Sequence, residues 1–331
     1  MNQHELIAEV FERQALRREQ RRAFLKFAGI SAAAAGAVAV AGCDPGGGSG
    51  GGLTVNPGVN TPPPQTGLSD GDILNFALNL EYLEAQFYSF AVTGAGLAAN
   101  LLTGTGTQGA ATGGRAVNFT DPVVRQYANE IAMDERQHVI FLRTALGSAA
   151  VAQPAIDISA SPTGPFSQAA VAAGLITQGQ SFDPYESDEN FLLGAYIFED
   201  VGVTAYKGAS PLIKSATFLS AAAGILGAEA YHAGLIRTVL YAKGMALPAL
   251  TDATEKISDA RDALDNPADV DQGVRMRDGA SNIVPTDADG IAYSRSAGDV
   301  LNIVYLNAGA VPKGGFFPNG VNGPINTSTA G

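Results

Sequence analysis

The chain has 331 residues and a net charge of −12, with 46% hydrophobic and 16% charged side chains. It is too apolar to be disordered and long enough for a sizeable core. An acidic surface repels phosphate backbones, so nucleic acid is excluded as a partner, and a lone cysteine, Cys43, excludes a disulfide scaffold and thiolate zinc sites. Glycine, at 40 residues, is well above the usual ~7% and predicts long loops or linkers.

Residues 1–43 read as an export address. Arg21 and Arg22, followed by Phe24-Leu25-Lys26, resemble a twin-arginine signal, although the usual Ser or Thr before the arginines is missing. The alanine-rich stretch from Phe27 to Gly42 is shorter than the ~20 residues of a membrane-spanning helix and fits a signal core. It ends in Val40-Ala41-Gly42-Cys43, which resembles a lipobox and predicts lipidation of Cys43. Export through the twin-arginine machinery to the periplasm or cell envelope, with a lipid anchor as the sole membrane attachment, is the expectation. The mature chain would carry 14 basic against 28 acidic residues. Residues 44–67, with a run of glycines and then Pro62-Pro63-Pro64, read as a linker that cannot bury apolar surface.

Four long helices follow. Ser69-Asp70 caps the first, which runs through Ile73 to Val92 with Asn75, Asn79, Gln86 and Ser89 on one polar face. Its apolar side contains two carboxylates, Glu81 and Glu84, which is costly unless something compensates their charge. After a glycine-rich loop, Thr120-Asp121-Pro122 starts the second helix, ending near Leu146-Gly147. Glu135 and His138 are the only polar members of its inner stripe, and residues three apart on a helix are neighbours. A long crossover, with a short helix expected over 166–176, leads to a third helix from Ser187-Asp188 to about Gly208, whose inner stripe holds Glu199, Gly202 and Tyr206. The fourth runs from about Ser215 to Lys243 and repeats the Glu-x-x-His pair as Glu229 and His232.

One carboxylate from each of two helices, with Glu-x-x-His from each of the other two, is how a four-helix bundle holds two metal ions. Four carboxylates balance two divalent ions, and two neutral imidazoles complete the donor set. An isolated Glu-x-x-His would read as a surface pair; two copies inside apolar stripes, alternating with two lone glutamates, read as a metal centre. Beyond the bundle, 253–264 is expected to be helical, 300–306 is a short apolar segment, and Phe316-Phe317 is expected to dock on the bundle.

The order Glu, Glu-x-x-His, Glu, Glu-x-x-His resembles the ferritin-like superfamily. The stretch from Leu74 to Glu84, with Ser294-Arg295-Ser296, Val300 to Tyr305, Gly314-Gly315-Phe316-Phe317-Pro318 and Asn322-Gly323, is similar to its desiccation-related branch. The resemblance implies an all-α fold: a ferritin-like bundle over 68–244, with a long crossover between helices two and three, and a C-terminal extension over 245–331 packed on it. It implies two divalent ions, Fe or Mn, with Glu135, His138, Glu199, Glu229 and His232 among the ligands. Members place a tyrosine seven residues after the first ligand. That favours Glu81, with Tyr88, and is repeated by Glu199 with Tyr206, whereas the amphipathic pattern puts Glu84 nearer the centre of the buried face. Glu84 therefore stays a candidate ligand or supporting group, and Tyr88 and Tyr206 are candidate hydrogen-bond donors to metal-bound carboxylates.

Three functions are compatible. The first is a di-metal oxidoreductase acting on oxygen or peroxide, as a ferroxidase, peroxidase or catalase-like enzyme in oxidative or desiccation stress. The alternative is a non-enzymatic protective or structural protein whose metal site only stabilises the bundle. The third, metal storage, is disfavoured because the long loops argue against a closed ferritin cage. Assembly into a homo-oligomer stays open.

Overall fold

The computed structural model describes residues 67–265 and 268–330. The export signal with Arg21 and Arg22, the lipobox with Cys43, and residues 44–66 of the linker lie outside the described residues. The four long helices are α1 (Asp70–Thr93), α2 (Pro122–Leu146), α4 (Asp188–Ala209) and α5 (Ala216–Gly244). A short α3 (Pro165–Ala172) lies in the crossover, and α6 (Pro248–Asp262) and α7 (Ala297–Tyr305) follow the bundle. Helices α1 and α2 pair extensively, as do α4 and α5, and α1–α4 and α2–α5 contacts close the bundle.

Local chemistry sets the helix starts. The Ser69 hydroxyl accepts from the Asp72 amide while Asp72 accepts from the Ser69 amide, closing a capping box. Asp121 accepts from the amides of Val123 and Val124 ahead of Pro122, and Ser187 and Ser215 cap α4 and α5. Each such cap contributes about 1 kcal/mol. Two acidic residues also tie helix starts together. Asp70 accepts from the amides of Lys214 and Ser215 at 2.9 and 2.8 Å, and Asp188 accepts from those of Thr120 and Asp121.

The polar face of α1 is not solvated. Asn75, Asn79 and Gln86 are buried because the loops and the C-terminal tail cover them. The Asn75 side chain bonds Ala149 and Val151, Gln86 bonds Gln153 and Leu97, and Asn79 exchanges hydrogen bonds with the backbone of Asn322. The glycine-rich loop after α1 is likewise laid down closely. Two short parallel strands, β1 (Ala111–Thr112) and β2 (Ile156–Asp157), join it to the crossover. At Gly113 φ is +85°, and a Cβ there would collide with the backbone of Ser159, so only glycine fits.

Beyond α5 the chain packs back on the bundle. Phe316 and Phe317 are fully buried, and Phe316 lies edge-on to Phe166 and Phe198, with centroids 5.1 and 4.9 Å apart. A buried ionic cluster ties the segment after α6 to the helices. Arg237 and Arg261 both donate to Asp200, Arg261 also to Asp271, and Arg295 to Asp265 and Asp271. Among the described residues no helix is long and apolar enough to cross a membrane.

Candidate metal centre

The inner stripes of the four long helices converge at mid-bundle. Glu81, Glu84, Glu135, Glu199, Glu229 and His232 are all buried, and the His138 side chain, 11% exposed, is the most open of the group. His138 Nδ1 lies 3.1 Å from Glu81 Oε2 and 3.6 Å from both Glu135 Oε2 and Glu229 Oε1. His232 Nδ1 lies 3.0 Å from Glu135 Oε1 and 3.6 Å from Glu199 Oε2. The imidazole centroids are 6.0 Å apart, with Glu135 between them. Donor atoms within 4.8 Å of one another form two groups, Glu81–Glu135–His138–Glu229 and Glu199–Glu229–His232, which share Glu229.

The centre contains the sequence-predicted residues, with one refinement. Glu81, not Glu84, joins the tight donor groups; Glu84 sits beside them, its Oε1 facing Gly202 on α4. Both tyrosines donate to carboxylates, and they do so crosswise. Tyr88 of α1 bonds Glu199 of α4, and Tyr206 of α4 bonds Glu81 of α1. The seven-residue spacing therefore serves the partner helix rather than the tyrosine's own.

The sequence reading missed Asp134 altogether, and it placed Gly202 on the inner stripe without its role. Asp134 Oδ2 lies 3.5 Å from His232 Nε2, on the side of the ring opposite the carboxylates, where it can fix the tautomer that turns Nδ1 inward. It is off the inner stripe and 44% exposed, so periodicity could not single it out. Gly202 matters for what it lacks: a Cβ at that position would run into the Glu229 carboxylate.

The electrostatics are those of a site built for cations. Burial pushes the Glu81 carboxyl up to about 7 and that of Glu199 up to about 8, and it drives Glu84 and Glu229 well above the carboxylate range, with neighbouring carboxylates adding to the rise. At Glu135 burial also acts upward, but the two histidines prevail and hold it below the usual range. Burial lowers both imidazoles, yet surrounding acids outweigh it: Glu81 and Glu135 lift His138 to about 11, and Asp134 and Glu135 lift His232 to about 10. Without metal the centre therefore holds protons, which cations would displace.

Hydrogen bonding gives the test of fit. Both oxygens of Glu135 and of Glu229, Glu199 Oε2 and His232 Nδ1 are buried with no hydrogen-bond partner, six of the eight such side-chain atoms among the described residues. Buried polar atoms normally find partners, and leaving one unmade costs about 1–3 kcal/mol. Here they approach one another without donor–acceptor alignment, as ligands around a common ion do. An oxygen-rich set with two imidazoles suits iron or manganese.

Comparison with known proteins agrees with this geometry. The model of the family described as "Ferritin-like domain" matches residues 69–242, from the start of α1 to two residues short of the end of α5. The chain is 29% identical over 272 residues to the ferritin-like catalase Nec2 of Nesocodon mauritianus, covering 78% of this chain and 85% of that protein. It is 31% identical over 243 residues to the desiccation-related protein PCC13-62 of Craterostigma plantagineum, covering 69% and 75% respectively.

Proposed function

The chain belongs to the ferritin-like domain family, and from that premise we propose that it is an exported redox enzyme using two carboxylate-bridged divalent ions, Fe or Mn, to turn over peroxide. The observation that carries the reading is the set of six buried donor atoms without hydrogen-bond partners at the crossing of the four helices. Glu81, Glu135, His138, Glu199, Glu229 and His232 would hold the ions, with Glu229 shared between the two donor groups. Held by these residues, two such ions would supply two-electron redox chemistry, which suits disproportionation of two peroxides into two waters and one dioxygen.

The chain's own residues supply position and enclosure. Tyr206 and Tyr88 fix the carboxylates of Glu81 and Glu199, Asp134 orients His232, and the surrounding apolar stripes limit water. A relative named as a catalase supports peroxide over oxygen as the oxidant. Export through the twin-arginine route, which carries folded proteins, would let the ions be loaded before transport, and Cys43 would anchor the product in the envelope.

A second reading, a protective protein whose metals only staple the bundle, is favoured by the relative named as desiccation-related. Oxygen evolution from hydrogen peroxide decides between them. Protein loaded to two Mn(II) or Fe(II) per chain is expected to release dioxygen, and Glu135→Gln to abolish it. Full occupancy with no turnover above free metal would reject the enzyme and leave the staple.

A further inference from the structure

Sulfur is distributed in this chain against its usual preference. Methionine is among the side chains most often buried, because its flexible thioether fills irregular gaps in cores. Here the core is made of Leu, Ile, Val, Phe, Tyr and Ala, and among the described residues it holds neither methionine nor cysteine. The three methionines of those residues all stand in solvent: Met133 is 61% exposed, Met245 78% and Met276 57%. They lie on different stretches, Met133 on the outer side of α2, Met245 just after α5 and Met276 beyond α6. The remaining methionine is Met1, the lone cysteine is Cys43, and the chain has no tryptophan.

Packing does not force this arrangement. Leu192 and Leu240 are enclosed in the core, and methionine could replace either with little change of volume. Nor do the exposed methionines make an apolar docking patch. Glu130 and Arg136 lie one turn to either side of Met133, and Met276 stands between Arg275 and Arg277, both ion-paired at the surface. What distinguishes methionine from leucine is its reaction with peroxide. The sulfoxide it forms is polar. Inside an apolar core that oxygen would lack a hydrogen-bond partner and disrupt packing, whereas at the surface water satisfies it.

We propose that Met133, Met245 and Met276 are oxidation sites that the fold is arranged to accept: hydrogen peroxide converts them to methionine sulfoxide while the core, free of sulfur, keeps its packing. The step balances with one peroxide per methionine. The O–O bond breaks, one oxygen bonds to sulfur, which is oxidised, and the other leaves as water. The inference goes beyond the peroxide turnover proposed above and needs neither of the two ions.

The test treats full-length protein, as purified, with excess hydrogen peroxide, replenished while dioxygen release is followed. Peptide mass mapping locates the added oxygen, and circular dichroism and calorimetry follow the fold. Met133, Met245 and Met276 should each gain one oxygen, within roughly threefold of the rate of a short methionine peptide, and methionine sulfoxide reductase should remove it. Helix content should not change, and the melting temperature should move by less than about 2 °C. Leu240→Met puts the same chemistry into the core by a swap of nearly equal volume. This variant should fold and then lose its cooperative melting under peroxide; Leu192→Met replaces it if it does not fold. Three outcomes would overturn the proposal: methionines that stay reduced while the peptide is fully oxidised, oxidised wild type that unfolds, or a core variant that withstands peroxide as wild type does. Metal-loaded protein that releases no dioxygen would instead remove the enzyme reading and leave these oxidation sites standing.

Discussion

If the centre holds metal as proposed, removing it is the perturbation that reaches furthest into the fold. Without metal the centre packs five glutamates and two histidines at mid-bundle, with six donor atoms lacking a hydrogen-bond partner. A ligand that binds only the folded state stabilises it by about 4 kcal/mol at a thousand-fold excess over its dissociation constant. Two ions then contribute about 8 kcal/mol, and at about 2–4 °C per kcal/mol for a domain of this size the melting temperature should rise by roughly 15–30 °C. The gap should widen with pH. Glu81 and Glu199 are raised from near 4.5 to about 7 and 8, so between pH 4.5 and 8 the folded apo protein binds more protons than the unfolded chain and loses stability as pH rises. His138 and His232, raised to about 11 and 10, act in the same direction above pH 6.5. Differential scanning calorimetry at pH 5.5 and 8, with chelator and after re-addition of Mn(II), measures the effect. Equal melting with and without metal, at two ions per chain beforehand, would refute the coupling of site to fold.

Tyr206→Phe removes the donor to Glu81 and should weaken metal binding about 10–100-fold while leaving the helix content in circular dichroism unchanged. Because the apo imidazoles carry protons at neutral pH, loading Mn(II) in weakly buffered solution should release protons, seen with an indicator dye; binding without release would contradict the charge state argued for His138 and His232. Arg295→Leu leaves Asp265 and Asp271 without their shared buried partner and should cost about 3–5 kcal/mol in urea unfolding. Lysines at Arg21 and Arg22 should block export, whereas Cys43→Ala should release the exported protein from the membrane; fractionation of cells separates the two outcomes.

The long helices were legible because their signals are local. Ser69, Asp121 with Pro122, Ser187 and Ser215 announce helix starts within a few residues, and the doubled Glu-x-x-His pair needs only the helical repeat to bring each His onto its glutamate's face. What stayed hidden depends on partners distant along the chain. Asn75 and Asn79 look like a solvent face until residues 149–151 and 322 cover them. The tyrosines keep a seven-residue spacing from one glutamate and bond another more than a hundred residues away. Glu84 could not be weighed against Glu81 without Gly202, which is informative only when α4 lies opposite α1.

Neighbouring residues on α4 show why the centre calls for metal. Glu199 turns to the mid-bundle site, while Asp200, the next residue, turns to Arg237 and Arg261. Both carboxylates are buried, so both need positive charge. Asp200 finds it inside the chain: three arginines, with Asp262, Asp265 and Asp271, form a cluster held by ion pairs and by backbone carbonyls such as that of Tyr196, in which Arg261 Nε and Asp265 Oδ1 are the buried side-chain atoms without a hydrogen-bond partner among the described residues. At the centre, among the described residues, the only ion pairs to the five glutamates come from His138 and His232. A chain that places arginines behind Asp200 could have placed one behind Glu199. Instead it leaves oxygens of Glu135, Glu199 and Glu229 without hydrogen-bond partners at one point, where, on the function proposed above, a pair of divalent ions would supply the charge that arginine supplies to Asp200.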